Sequence, residues 1–337
     1  MDNWRHKHII DLADFSLSDY ESVLELANRF KSLTKTGTKR LPSLQGKLIT
    51  TLFFESSTRT KNSFELAAKR LSADVQSFSA STSSLSKGET PLDTAMSYTA
   101  MGTNILIVRH SSSNVPLQIA NMIDNSGKET SVLNGGDGLH SHPSQALLDL
   151  FTLAKHFNQD SPTPETIKNK TILIVGDILH SRVARSNLWS LTGCGADVIL
   201  CGPKSLLPDN FINFVSSPPP GTQKDLVSSR GKISIIRNLS EGISSADAIM
   251  TLRLQRERME DNLITNIENY RNNFAITEEV IKRCKKNIPI LHPGPVNRGI
   301  ELSSTILDDY QYCLVNEQVC NSIPVRMSLL YLLANLK

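Results

Sequence analysis

An apolar run from Leu48 to Phe54 stops at Glu55-Ser56-Ser57-Thr58-Arg59-Thr60, and a helical pattern begins directly behind it. The run reads as a buried strand. Phe64, Leu66, Ala67, Ala68 and Leu71 then fall at helical spacing, with Lys61, Glu65, Lys69 and Arg70 between them. Ser57 to Thr60 therefore sits where a strand ends and a helix starts. Such a position offers free backbone N–H groups and the positive end of the helix dipole. Hydroxyls and an arginine placed there make an anion site, most naturally for phosphate. Ser57 could instead simply cap the helix. A cap does not need four consecutive polar side chains with an arginine among them. The segment lacks the glycines and the Gly-Lys-Ser/Thr ending of a Walker loop.

The 337 residues suffice for about two domains. A hydrophobic content of 39% and a charged content of 20% suit a soluble globular chain. The net charge of +3 is too small to imply nucleic-acid binding, although basic residues focused in a cleft would attract small anions. No apolar run reaches the length of a membrane span, and the N-terminus lacks the apolar core of a signal peptide. Cys194, Cys201, Cys284, Cys313 and Cys320 are scattered and never form a CxxC pair. That argues against a disulfide framework and a structural metal site, and makes the cytoplasm the expected compartment.

Along the chain, residues 16–34 read as a first helix, with Ser18 and Glu21 as a capping box. Asp74 to Phe78 is a short strand. Residues 79–90 are small and polar and read as a loop, in which Lys87 beside Gly88 could close over an anion. Thr90 with Asp93 caps a helix to Met101. Ile105 to Val108 is a buried strand with Arg109-His110 at its end. Pro116 opens another helix, and Val132-Leu133 opens a strand ending in Asn134-Gly-Gly-Asp-Gly138. Pro143 suits a first helical turn, and His142 and Gln145, three apart, share one side of that helix start.

Residues 158–170 read as a domain junction, followed by a second β–α series. Thr171 to Val175 is a strand ending in Gly176-Asp177, and Ser181-Arg182 starts a helix. Asp197 to Cys201, Lys232 to Ile236, Ala248 to Leu252 and Ile288 to Leu291 are further strands. None is followed by GxGxxG, which disfavours a dinucleotide fold. Arg253 and Gln255 stand at a strand's carboxyl end, where open α/β sheets bind ligands. His292-Pro293-Gly294-Pro295 fixes an irregular loop that offers carbonyls. A last helix, about Glu317 to Leu336, carries Val319, Ile323, Met327, Leu330 and Leu333 on one expected apolar face.

Phe53-Phe-Glu-Ser-Ser-Thr-Arg-Thr60, Lys87-Gly-Glu-Thr90, Arg109-His110, His142-Pro-Ser-Gln145, Arg253-Leu-Gln255 and His292-Pro-Gly-Pro295 together resemble the signature of the aspartate/ornithine carbamoyltransferase superfamily, and within it the aspartate branch. The order matches over nearly the whole chain. The resemblance implies an α/β fold of two αβα domains with parallel sheets and an active site in the interdomain cleft. Residues 1–150, completed by the helix 317–337, would bind carbamoyl phosphate, and residues 151–316 would bind aspartate. It implies a homotrimer in which Lys87 reaches a neighbour's site, and it leaves open whether regulatory chains or a dihydroorotase join it.

The implied reaction transfers a carbamoyl group from carbamoyl phosphate to L-aspartate, an early step of pyrimidine synthesis, with no cofactor, no metal and no covalent intermediate. By resemblance, Ser57, Thr58, Arg59, Thr60 and Arg109 hold the phosphate, and Arg59, Thr60 and His142 polarise the carbonyl. Gln145 and the carbonyls around Pro293 and Gly294 meet the carbamoyl amine. Lys87, Arg182, Arg253 and Gln255 hold aspartate, and Glu55 ties Arg182 and Arg258 together. Two departures stand out. The loop before Lys87 is one residue shorter than in enterobacterial-type enzymes, and Gly294 replaces their leucine. Ornithine carbamoyltransferase is a rival, but its cationic substrate would not be served by Arg253, and Pro293 stands where that family has cysteine. A phosphate-binding scaffold without activity is the other rival, and it would need some of Arg59, His142, Arg182 and Arg253 to be lost.

Overall fold

The computed structural model describes residues 4–35, 37, 40–78, 88–216, 230–255, 266–285 and 287–336. By its internal contacts the chain divides into two units. One comprises Met1–Leu12, Glu21–Ser144 and Asn321–Lys337; the other comprises Ala13–Tyr20 and Gln145–Cys320.

The first unit is built on a parallel sheet of β1 (Leu48–Phe53), β2 (Asp74–Ser77), β3 (Ile105–His110) and β4 (Ser131–Asp137), in the order β2-β1-β3-β4. From β1 the chain moves outward one way to β2, then returns to the other side of β1 for β3 and β4. The reversal leaves a switch point between the carboxyl ends of β1 and β3, whose register runs Phe53 against Arg109. The apolar strand residues are buried from Ile49 to Phe53 in β1 and from Ile105 to Val108 in β3. Helices α2 (Thr58–Arg70), α3 (Pro91–Ala100) and α4 (Val115–Asn125) connect them. α3 is capped as expected: Thr90 accepts from the Asp93 amide while Asp93 accepts from the Thr90 amide.

The second unit repeats the plan with β5 (Thr171–Val175), β6 (Asp197–Cys201), β7 (Ile233–Ile236), β8 (Ala248–Thr251) and β9 (Ile290–Leu291), all parallel, in the order β7-β6-β5-β8-β9. Its switch point lies between β5 and β8. Leu173, Val175, Ile249, Ile290, Tyr270 and Phe274 share its buried core. Helices α5 (Pro143–Phe157) and α6 (Arg182–Gly193) precede and follow β5.

Two expectations need correction. The first helix, α1 (Leu17–Lys35), is capped by Ser16 with Asp19, not by Ser18 with Glu21: the Ser16 amide donates to Asp19 Oδ2 at 2.7 Å and the Asp19 amide to Ser16 Oγ at 3.3 Å. The last helix runs Val315–Ala334, and Val319 is 50% exposed. Its buried residues from Val325 to Leu333 include Arg326, Ser328, Leu329 and Leu332, so burial there is not confined to one face. Within the first unit this helix meets α2: Arg326 bonds Ser63 Oγ and lies 4.6 Å over the Phe64 ring. By contacts, the division between the units falls at the start of α5, after Ser144.

Candidate active site

In the first unit, the turn after β1 sets Ser57 as the N-cap of α2 in an extended conformation. Its carbonyl accepts the first helical bond from the Lys61 amide at 3.0 Å, yet its side chain makes no capping bond. The Ser57 hydroxyl is thus not spent on the helix, which removes the simple capping reading. Thr58 and Arg59 are exposed, Ser57 is half-buried, and Thr60 is buried. Beside this turn, across the switch point, stands Arg109, buried at the end of β3. Its guanidinium donates to the Gly135 carbonyl at 3.0 Å and to Glu55 Oε1 at 3.3 Å. Glu55 thus carries an ion pair with Arg109. Arg258 lies outside the described residues, as does Lys87.

The segment leading to His142 is fixed by a carboxylate that the sequence reading did not single out. Asp137, at the end of β4, is fully buried. It accepts from the Asn134 amide group at 2.8 Å, from the Asn114 and Ser141 backbone amides at 2.7 and 3.0 Å, and bonds His140 Nδ1 at 3.0 Å. His140 Nε2 also faces Asp11 Oδ2 at 3.6 Å. Burial lowers the His140 imidazole, but its bonds to Asp11 and Asp137 win and push it up to about 9. Burial likewise works against the Asp137 carboxylate, yet its bonds to His140 and Asn134 hold it below the usual range. This clamp ends one residue before His142, which is itself buried.

In the second unit, the carboxyl ends of three adjacent strands carry the remaining residues. After β5, Asp177 is fully buried and bonds His180 Nδ1 at 2.9 Å. Ser181 caps α6 by accepting from the Ala184 amide at 3.0 Å, and Arg182, its first residue, is buried. Gly176 is in the left-handed region, and a Cβ there would meet the Leu252 carbonyl at 3.0 Å, so the β5 and β8 ends approach too closely for a side chain. After β8, Gln255 donates from its backbone to Asp177 and from its side chain to the His180 carbonyl at 3.0 Å. Arg253 and Gln255 are half-buried. After β9, the His292 ring faces Glu301 at 3.4 Å with both groups fully enclosed, and its Nδ1 accepts from the Gly294 amide at 2.7 Å. That bond folds the loop back so that Pro293 and Gly294 stand half-buried beside it. Gln145 is also in this unit, and it belongs to a network with Asp149 and Gln318 that reaches the His292 amide.

So Ser57, Thr58, Arg59, Thr60 and Arg109 gather at one switch point. Arg182, Arg253 and Gln255 gather at the other, next to Pro293 and Gly294. Cations and hydroxyls at the first suit a phosphate. Buried and half-buried arginines at the second suit carboxylates. Among the described residues, no group of three or more His, Cys, Asp or Glu side chains is placed to hold a metal, and no helix is long and apolar enough to cross a membrane.

Two parallel sheets, each with a charged switch point, define an anion-handling α/β protein of two units. The chain belongs to the aspartate/ornithine carbamoyltransferase family: residues 7–155 match its carbamoyl-P binding domain and residues 168–333 its Asp/Orn binding domain. It is 66% identical over 333 residues to the aspartate carbamoyltransferase catalytic subunit of Prochlorococcus marinus strain MIT 9211, covering 99% of each chain. It is 60% identical to that of Synechococcus sp. strain CC9902, covering 99% of this chain and 96% of the relative. Among solved structures, aspartate transcarbamoylase from Trypanosoma cruzi with carbamoyl phosphate and aspartate superposes with a TM-score of 0.82 at 26% identity, over 97% of both chains. Ornithine carbamoyltransferase from Pyrococcus furiosus gives 0.83 at 26% identity, over 99% of this chain and 98% of that one. Fold alone thus does not separate the two branches.

Proposed function

We propose that this chain is the catalytic subunit of an aspartate carbamoyltransferase, making N-carbamoyl-L-aspartate and phosphate from carbamoyl phosphate and L-aspartate in pyrimidine synthesis. Ser57, Thr58, Arg59, Thr60 and Arg109 take the phosphate, as the unspent Ser57 hydroxyl and the helix start at exposed Thr58 and Arg59 allow. The aspartate nitrogen attacks the carbamoyl carbon, and negative charge grows on the carbonyl oxygen. Arg59, Thr60 and His142 stabilise it. The carbon–oxygen bond to phosphate then breaks, and the departing phosphate takes the amine proton. Gln145 and the carbonyls of Pro293 and Gly294 receive the carbamoyl NH2. Catalysis is positioning plus electrostatics, and well-oriented reactants gain about 7–11 kcal/mol from positioning alone.

The observation that carries the choice of aspartate is the pair Arg182 and Arg253 on the switch point of the second sheet, with Gln255 tied to Asp177 beside them. Two guanidinium forks serve two carboxylates, whereas an ornithine side chain would meet like charge. The named relatives support the same branch. We further assign a cytoplasmic homotrimer in which Lys87 serves the aspartate site of a neighbour. The test is carbamoyl transfer by the purified chain, with aspartate and ornithine offered in parallel. Turnover with aspartate alone, lost in Arg253→Ala, is the expected result. Turnover with ornithine would overturn the assignment.

A further inference from the structure

α5 carries one carboxylate inside an apolar stretch, Ala146-Leu-Leu-Asp149-Leu-Phe151. Asp149 is fully buried. Three side-chain amides converge on it. Gln145 Nε2 donates to Oδ1 at 2.9 Å, Gln318 Nε2 to the same oxygen at 2.7 Å, and Asn187 Nδ2 to Oδ2 at 3.0 Å. A leucine would bury at this place without the cost of enclosing a charge. The carboxylate therefore asks for a use.

An ionised carboxylate only accepts hydrogen bonds, whereas an amide has a donating end and an accepting end. Each of the three amides must turn its NH2 toward Asp149 and its oxygen away. Gln318 shows the consequence: its Oε1 points outward and accepts from the His292 backbone amide at 2.9 Å. The same rule turns Gln145 Oε1 away from Asp149. Gln145 is also the most exposed of the three amides, at 9% against 3% for Gln318 and 0% for Asn187. Of the three amides, Gln145 thus keeps the most surface, and its oxygen is the end turned from the carboxylate.

We propose that Asp149 is a positioning residue that fixes which way round the Gln145 amide stands, so that an oxygen and not an NH2 meets the carbamoyl group. This rests on the reading of Gln145 given above. The orientation selects the donor. A carbamoyl NH2 offers hydrogens to that oxygen, while an acyl phosphate ending in a methyl group offers none. With Asp149 replaced by asparagine, either end can face Gln145. The flipped glutamine then sets NH2 against NH2.

The test uses the full chain with Asp149→Asn, Gln145→Ala and the double variant. Asp149→Asn is expected to lower kcat/KM for carbamoyl phosphate about 10- to 100-fold, the range for losing a hydrogen bond to a charged group. Inhibition by acetyl phosphate should barely change, so the preference between the two falls. In the Gln145→Ala background the same substitution should add little. A loss of both donors alike, or an undiminished loss in that background, would overturn the inference. Gln145→Ala without effect on carbamoyl phosphate would instead remove Gln145 itself from the site.

Gln145→Glu provides a check that leaves Asp149 in place. Two facing carboxylates share one proton, and the pair's upper pKa rises. Asn187 and Gln318, which also bond Asp149, do not titrate, and His292 lies one bond further on against Glu301. In the protonated pair the introduced carboxylic acid turns its hydroxyl to Asp149, and its carbonyl replaces the lost amide oxygen. Activity should survive at low pH and fall as pH rises. A pH profile parallel to the native one would overturn the inference.

Discussion

The two switch points share one architecture and spend their side chains differently. After β1, the N-cap serine of α2 leaves its hydroxyl out of the helix; after β5, the N-cap serine of α6 gives its oxygen to the Ala184 amide. The first thus presents a helix start to a ligand. The second closes its helix start and presents arginines instead. The difference follows ligand shape: a phosphate accepts from many convergent N–H and O–H donors, whereas a dicarboxylate wants two separate forks. Each unit also has an Asp–His clamp three residues apart, Asp137 with His140 and Asp177 with His180. The first orders the chain before His142. The second ties the β5 end to Gln255.

The largest break in this comparison should come from Arg59→Ala. Losing a donor to the developing oxyanion costs about 10²- to 10³-fold in kcat, read by steady-state kinetics. Next, the first clamp should depend on pH. His140 is raised, so its contribution is full below the ordinary imidazole value and disappears as pH climbs through about 9. That is about 3 kcal/mol of stability. Asp137 is lowered, so its share is present above the ordinary carboxylate value and is lost as pH falls through the depressed one. Thermal unfolding across this range, against a flatter profile for His140→Gln, checks both limbs. Arg253→Ala should then raise KM for aspartate about 10- to 100-fold and leave KM for carbamoyl phosphate alone. The smallest effect compares the caps. Ser181→Ala should cost about 1 kcal/mol in stability by chemical denaturation, and Ser57→Ala much less.

Much of this was legible in the chain because strand ends and helix starts carry short-range signals. The Ser57 to Thr60 turn, the Thr90–Asp93 cap and the Arg182 and Arg253 positions needed only periodicity and capping chemistry. The first helix start failed because two overlapping patterns, Ser16–Asp19 and Ser18–Glu21, satisfy the same rule, and only burial of Asp19 at 7% exposure distinguishes them. The one-face expectation for the last helix failed because, beyond Ile323, the helix is enclosed on more than one face. The Asp149 network was out of reach for a different reason: Asp149 and Gln318 are 169 residues apart, and no local pattern pairs them. Its local signals were a carboxylate in an apolar run and the i,i+4 spacing of Gln145 and Asp149. The ion pair of Glu55 with Arg109 likewise depends on which strands are neighbours.

The division of labour between the two switch points is tested most directly by calorimetric titration of inorganic phosphate into the native chain, Ser57→Ala, Arg59→Ala and Arg253→Ala. The two first-unit variants should weaken phosphate binding about tenfold or more, while Arg253→Ala binds it like the native chain. Phosphate binding that survives Arg59→Ala and fails in Arg253→Ala would contradict that division.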